Sequence, residues 1–496
     1  LSVTPDANST TPVTVDVAAG KFTDAAGNSN LAATQNSQAI DTVAPTIKIE
    51  DNQAGILRGG SALYTFTLSE ASNNFILDDI TVTGGTKAAT LTAVSPTVYT
   101  LSVTPDANST TSLKVDVAAG KFTDAAGNSN VAAVQNVQEV NTTPINGTAI
   151  DGYLTGSDVF ADTNGDGVWN AGEAKATTDT NGKFTLTSGS GAIVVSGGTD
   201  KTTGQAFKGV LKAPEGAIAI TPLTTVQQGF IESGKTLVEA QAAVAKAFGF
   251  SSAVDLTKYD PIAALTNASA ADKAQATAMM ASAAKIANFL VTAGEVLKGA
   301  GGDKVTTSSA GSALLKSLVT SIKSDSDGVI DLADKALLKA VITDGAKEVT
   351  KAVTGTTSNF EAKINTMADT VVNVIKDATD NIAAVVTAGG SSDTLLASMG
   401  NVAKFTQTGV AAKLQEVAKT LDPTSATALK DLSSIESSMT GDAAKKSIAS
   451  GSTVVTNNVV TTDTSLPDGI HKTISGEGTT NATYGTDVFT ITAGTY

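Results

Sequence analysis

Over the first 140 residues, apolar side chains recur at every second position in short runs. Leu63-Tyr64-Thr65-Phe66-Thr67-Leu68, Ile80-Thr81-Val82, Val98-Tyr99-Thr100-Leu101-Ser102-Val103 and Leu113-Lys114-Val115-Asp116-Val117 carry this alternation. It sends successive side chains to opposite faces of a β-strand. Tyr99, Leu101 and Val103 then share one face, as do Leu113, Val115 and Val117, and these are the expected core positions. Residues 1–10 return letter for letter at 101–110, and 1–40 differs from 101–140 at eight positions. A period of 100 residues suits one β-sandwich module rather than a solenoid turn. The expected order is a partial module over 1–40 and a whole one over 41–143. Residues 1–40 lack a counterpart of 41–100, so Val3, Val13, Val15 and Val17 should present an open apolar face. Either the chain continues beyond Leu1, or a neighbouring subunit adds strands to that edge and self-association builds a fibre.

Beyond Thr221 the period changes. Thr221-Pro222, Asp260-Pro261 and Asp422-Pro423 each read as a helix N-cap followed by proline at the first helical position. Met279, Ala283, Ile286, Leu290, Ala293 and Leu297 step by fours and threes, as do Phe360, Ile364, Met367 and Val371. Those are buried stripes of long helices. Ser269 with Asp272 reads as a capping box, and Gly249, Gly299 and Gly390 as C-terminal glycines. The expectation is an all-α bundle of six to nine helices over 221–450. Between two of them, the stretch from Asp325 to Asp334 has half the spacing of a calcium loop. Lys323 stands where its first carboxylate belongs, so it reads as a connecting turn. Alternation returns in Val454-Val455, Val459-Val460 and the run from Gly485 to Thr492, so 451–496 is expected to begin a C-terminal β module.

Between these regions lies Asp162-Thr163-Asn164-Gly165-Asp166-Gly167-Val168-Trp169-Asn170-Ala171-Gly172-Glu173, which fits D-x-[DN]-x-[DN]-G-x5-E at every specified position. A hard divalent cation takes six to eight oxygens, and oxygens at loop positions one, three and five converge when the chain curls around it. Glycine at six permits the turn, seven offers a carbonyl, and an acid at twelve closes the cage. The expected calcium ligands are therefore Asp162, Asn164, Asp166, the Val168 carbonyl, Asn170 through water, and Glu173. The loop hangs between strand signals rather than helices: Gly147 to Leu154 and Asp158-Val159-Phe160 precede it, and Lys183-Phe184-Thr185-Leu186-Thr187 follows.

The words G-x-A-x-D-G, V-F-x-D-x-N-x-D-G and T-D-x-x-G-x-F, over about Pro144 to Thr221, resemble the calcium-binding B-type repeats of Gram-positive serine-aspartate-repeat surface proteins. The resemblance implies a small extracellular β-sandwich over 144–220, rigidified by calcium, with Asp179 as an added ligand. Asp41-Thr42-Val43-Ala44-Pro45-Thr46, Asp78-Asp79-Ile80-Thr81-Val82 and Phe122-Thr123-Asp124-Ala125-Ala126-Gly127-Asn128 resemble the bacterial Ig-like repeats of large secreted adhesins. That family often holds calcium near module junctions, which makes Asp24, Asp41, Asp79 and Asp124 further candidates; capping of Gly/Asn turns is otherwise sufficient to account for them. Gly485 to Thr492 is similar to the start of C-terminal modules in type I-secreted surface proteins.

Composition narrows the function. The balance of 33 Lys and Arg against 48 Asp and Glu gives a net charge of −15, which argues against nucleic acid or an anionic membrane as partner. Cysteine is absent, so an exported bacterial protein fits better than a disulfide-bearing eukaryotic one. No apolar run looks long enough to span a membrane. Low charge with abundant Thr, Ala, Gly and Asn resembles S-layer and giant-adhesin compositions. The single histidine, His471, excludes a multi-histidine zinc site and leaves no partner pattern for a triad. With one Trp, sugar-hydrolase platforms are scarce, and no enzyme is expected. The expected function is calcium-rigidified attachment at the bacterial cell surface or in its matrix, as adhesin, fibre, S-layer or biofilm component, exported by type I secretion. The alternative is a receptor-binding head in the helical domain, presented by the β modules.

Overall fold

The computed structural model describes residues 1–187, 189–267, 269–353 and 359–453, and beyond them the strand segments 459–461, 472–474, 480–484 and 487–491. The chain is multidomain, β first and then α, and divides into two compact units, Leu1–Pro144 and Ile145–Tyr496.

In the first unit, β1 (Val13–Val15) pairs, among the described residues, only with β2 (Asn36–Gln38). The strands β3 (Ile47–Asp51), β4 (Ala62–Leu68), β5 (Ile80–Thr83), β6 (Gly85–Lys87), β7 (Thr92–Ser95), β8 (Val98–Pro105), β9 (Leu113–Val117) and β10 (Asn136–Gln138) follow. They make two sheets, β3-β4-β8-β6 with β7 also on β8, and β10-β9-β5. The inward positions are those the alternation marks: Tyr99, Leu101, Val103, Leu113, Val115 and Val117 are buried with Tyr64, Phe66 and Ile80. Phe75 sits at the centre, its ring 5.1 Å from Tyr99, 5.2 Å from Phe122 and 5.9 Å from Phe66. Residues 1–40 repeat the local turns of 101–140 without their core. Phe122 is 1% exposed and its counterpart Phe22 is 63% exposed.

The second unit begins with β11 (Ile145–Ala149), β12 (Leu154–Thr155), β13 (Asp158–Asp162), β14 (Lys175–Thr177), β15 (Lys183–Leu186), β16 (Ala192–Ser196), β17 (Thr199–Asp200), β18 (Gln205–Ala206), β19 (Val210–Ala213) and β20 (Ala219–Ile220). They form the sheets β14-β13-β16-β19, β15-β11-β20 and β12-β17-β18. Val159, Ala161, Ile193, Val195, Leu211 and Ala213 point into a core shared with Phe184 and Leu186. The alternate residues Phe160, Val194 and Lys212 are buried as well. A strand buried on both faces needs a covering layer on each, and here the helices supply the second. Thr225, in the first helix, receives the Lys212 amide on its hydroxyl at 2.9 Å. The β region and the bundle, separated at residue 220 on sequence grounds, thus share one packed unit.

The helices are α1 (Pro222–Glu232), α2 (Leu237–Phe248), α3 (Pro261–Asn267), α4 (Ala270–Gly301), α5 (Thr307–Ser324), α6 (Lys335–Ala352), α7 (Phe360–Ala388), α8 (Ser392–Lys404), α9 (Ala411–Thr420), α10 (Ala426–Met439) and α11 (Gly441–Ala449), with a π-helical turn at Phe405–Val410 joining α8 to α9. Among the described residues that is eleven where about six to nine were expected, because short helices such as α3 carry too few turns to show a period. Thr221 and Ser269 cap α1 and α4, and Asp260 accepts the first amides of α3. Asp422-Pro423 departs from expectation: Asp422 caps a turn through Thr424, and α10 starts only at Ala426. Gly299 also departs, lying inside α4, where a Cβ would stand 2.3 Å from the Gln415 carbonyl oxygen of α9. It permits a close helix crossing rather than ending a helix. Both stripes are buried apart from half-buried Leu290. Against the expectation, α4 is long and apolar enough to cross a membrane by length and composition. Its apolar stripe packs inside the bundle. After α11 come β21 (Val459–Thr461), β22 (Lys472–Ile474), β23 (Thr480–Tyr484) and β24 (Asp487–Ile491), with β21 antiparallel to β22 and β23 antiparallel to β24. Val454, Val455, His471, Gly485, Thr486 and Thr492 lie outside the described residues.

Candidate metal centre

The loop leaves β13 at Asp162 and is curled by two glycines with positive φ, Gly165 at 76° and Gly167 at 71°. That backbone region is costly for any side chain bearing a Cβ, so the glycine at position six is structurally required. The Asp162 carboxylate is buried, and the amides of Gly165, Asp166 and Gly167 converge on it at 2.9, 3.1 and 2.8 Å. Burial pushes its pKa up, opposed by those amides and by the Lys212 ammonium. Asp166 accepts from the side-chain amides of Asn170 (2.9 Å) and Asn164 (3.0 Å), and the Asn170 bond leads in holding its carboxyl below the usual range. Glu173 closes the ring: one oxygen accepts from the Thr163 amide and the other from the Asn170 amide, each at 2.9 Å. The Val168 carbonyl accepts from the Asn170 side chain at 2.8 Å. Every expected ligand therefore belongs to one hydrogen-bonded ring. All of its donor atoms toward a cation are oxygens, the set a hard ion selects.

Two contributors escape a sequence reading. Ser308, in the first turn of α5, donates its hydroxyl to the Gly167 carbonyl at 3.0 Å, fastening the loop to the helices. Lys212 is buried with its ammonium 3.2 Å from Glu232. The only sequence sign of the latter is a lysine inside an apolar strand, Val210-Leu211-Lys212-Ala213; for Ser308 there is none.

The other candidates cap their own turns. Asp179 accepts the Asn181 and Lys183 amides, and Asp24 the amides of Ala26 and Asn28. Asp79 accepts the Ile76 amide. In the turn after α5, Asp325 accepts from Asp327 and Gly328, and Asp334 caps α6. Asp41 and Asp124 do come together, and with Glu70, which the sequence did not suggest, their carboxylate oxygens lie within 4.8 Å of one another. Burial, then the charges of Asp41 and Asp124, raises the Glu70 pKa.

A pair of acidic residues lies where sheet meets bundle. Asp200 in β17 is buried and pushed up to about 6, chiefly by burial. Asp151 is raised well above the usual carboxylate range by burial and then by the Asp200 charge. Its Oδ2 has no hydrogen-bond partner among the described residues. Gly152 makes room for the pair: a Cβ there would stand 1.8 Å from Asp200 Oδ1. A carboxyl whose folded pKa exceeds its unfolded value binds its proton more tightly when folded, so it favours the fold at low pH and loses that advantage as pH rises. For Asp200 the loss runs from pH ~4 to ~6 and amounts to roughly 3 kcal/mol. We expect Asp200→Asn to raise the melting temperature of the second unit at pH 7 and leave it nearly unchanged at pH 4. Calorimetry at the two pH values checks this, and an equal shift at both would contradict it.

Residues 41–141 match the family model described as bacterial Ig-like domain (Big_12). No curated protein matches the chain. Among solved structures, the crystal structure of BcpA, the major pilin subunit of Bacillus cereus, matches at 14% identity, covering 38% of this chain and 70% of that one. At a TM-score of 0.18 that likeness carries no argument about this chain.

Proposed function

We propose that this is a bacterial cell-surface or extracellular protein with a structural, adhesive role and no catalytic one, exported by type I secretion. The observation that carries the reading is the bacterial Ig-like domain over 41–141, repeated in part over 1–40 with a period of 100 residues. Tandem modules of this kind serve as spacers within a self-associating fibre, S-layer or biofilm matrix. Calcium is the proposed cofactor. Asp162, Asn164, Asp166 and the Val168 carbonyl would each give an oxygen and Glu173 two, with Asn170 acting through water. When bound, the ion supplies rigidity, not chemistry: it offsets three carboxylates that the ring otherwise balances only with amides and one lysine.

The single Trp stands at loop position eight and donates its indole N–H to the Glu173 carbonyl at 3.2 Å, so it reports on the ring directly. Calcium titration should change Trp fluorescence with a midpoint at or below roughly 0.1–1 mM, the range of extracellular sites. Asp162→Asn should weaken the midpoint at least tenfold. A fluorescence signal indifferent to calcium at millimolar concentration would remove calcium from the proposal.

A further inference from the structure

Beside the metal loop, an open cleft of about 710 Å³ runs between the four-stranded sheet and the ends of α4 and α5. That volume falls within the range of small-ligand sites, roughly 300–1,000 Å³. One wall is the loop itself, through Trp169, which is 44% exposed. A half-exposed indole is a large apolar plate that gains by being covered. The remaining lining mixes the apolar side chains of Phe160, Val194 and Phe207 with hydroxyls, one side-chain amide and charges. Lys175 pairs with Asp158 at 3.0 Å and reaches over the Trp169 ring at 5.0 Å. Lys298 pairs with Glu295 at 3.5 Å. Lys208 is different: half-buried in the cleft, it has no ion pair or hydrogen bond among the described residues. The first turn of α5, whose dipole favours negative charge, opens onto the same space.

We propose that this cleft binds an acidic saccharide, a pyranose whose C–H face stacks on Trp169 and whose carboxylate pairs with Lys208. Among small ligands, a sugar combines an apolar face for the indole with a rim of hydroxyls for paired charges and side-chain amides. The lysine without a partner adds the demand for an anion. Since Trp169 belongs to the metal ring, calcium fixes the platform, and saccharide binding depends on calcium. The inference rests on the adhesive reading for its biological sense, while the site is testable alone.

The test uses the full chain in calcium, titrated by calorimetry with a glucuronate-containing tetrasaccharide and with its carboxyl-reduced counterpart. The expected result is saturable binding of the acidic form and at least tenfold weaker binding of the reduced form. Lys208→Gln should bring the acidic form down to the level of the reduced one, and Trp169→Ala should weaken both. Retention of a calcium-dependent melting shift shows that the variants keep the ring. Absence of saturable binding by the wild-type chain, or equal affinity for the two sugars, overturns the proposal. Either failure leaves the calcium titration, and with it the adhesive reading, standing.

Discussion

Phe122→Ala is expected to destabilise the first unit by about 3–5 kcal/mol, and Phe22→Ala by less than about 0.5 kcal/mol. The two phenylalanines occupy the same place in the same words, Lys-Phe-Thr-Asp-Ala-Ala-Gly-Asn. What separates them is covering. Phe122 meets Phe75 edge-on at 5.2 Å, inside a core built from β3, β4, β5, β8 and β9. Truncating it removes that contact and leaves a cavity that neighbouring strands cannot fill. Phe22 keeps the local turn, with Asn30 receiving the Lys21 and Phe22 amides just as Asn130 receives those of Lys121 and Phe122. Its ring, however, reaches solvent. Since domains hold only about 5–15 kcal/mol in hand, the first substitution should largely unfold the module and the second should pass unnoticed. Hydrogen exchange resolved by peptide, on the full chain, separates the two. Equal effects would mean that another strand set covers residues 1–40 in solution, and the same measurement on Phe22→Asp at rising protein concentration would then show whether that set comes from a second copy.

The same pair shows how far a sequence can be read. Strand alternation in 41–143 is legible because β3, β4, β8 and β9 are covered on one side only, so inward and outward positions differ chemically. Asp162 to Glu173 is legible because the ring is local, with all its ligands inside one twelve-residue stretch. Long helices announce themselves through four or five turns of periodic burial, as Met279 to Leu297 do. What stays hidden is long-range. Ser308 lies 141 residues from the Gly167 carbonyl it holds, and a serine in a helix's first turn carries no sign of that partner. Glu70 reaches Asp41 and Asp124 only after β4 has crossed the sheet. The boundary at residue 220 falls where the period changes from two to 3.6, but a change of period marks a change of element, not of core. Phe160, Val194 and Lys212, buried on the second face of their sheet, tie the helices to it, and a lysine among them is the residue a strand reading would send to solvent.

That shared core changes what metal removal should do. On the sequence alone, a chelator should lower the melting temperature of 144–221 and leave the helices unmoved. In the structure the ring is fastened to α5 through Ser308 and Gly167, and its sheet is roofed by α1 through Thr224 and Thr225, which both donate to the Lys212 carbonyl. Loosening the ring should therefore cost the whole second unit. At calcium a hundredfold above its dissociation constant, binding adds about 2.7 kcal/mol to the folded state. Calorimetry should show one transition for the second unit, moving down together in the sheet and helix signals when calcium is chelated. Glu173→Gln should abolish most of that calcium-dependent shift. It should also lower the calcium-free melting temperature slightly, because the amide end of glutamine would face the Thr163 or Asn170 N–H that a carboxylate oxygen now accepts. A chelator that moves neither signal would sink the calcium assignment. If instead a β transition moves while the helical ellipticity melts independently at its old temperature, the ion is real but the sheet and the bundle fold as separate bodies, and the roofing of β19 by α1 is too weak to couple them.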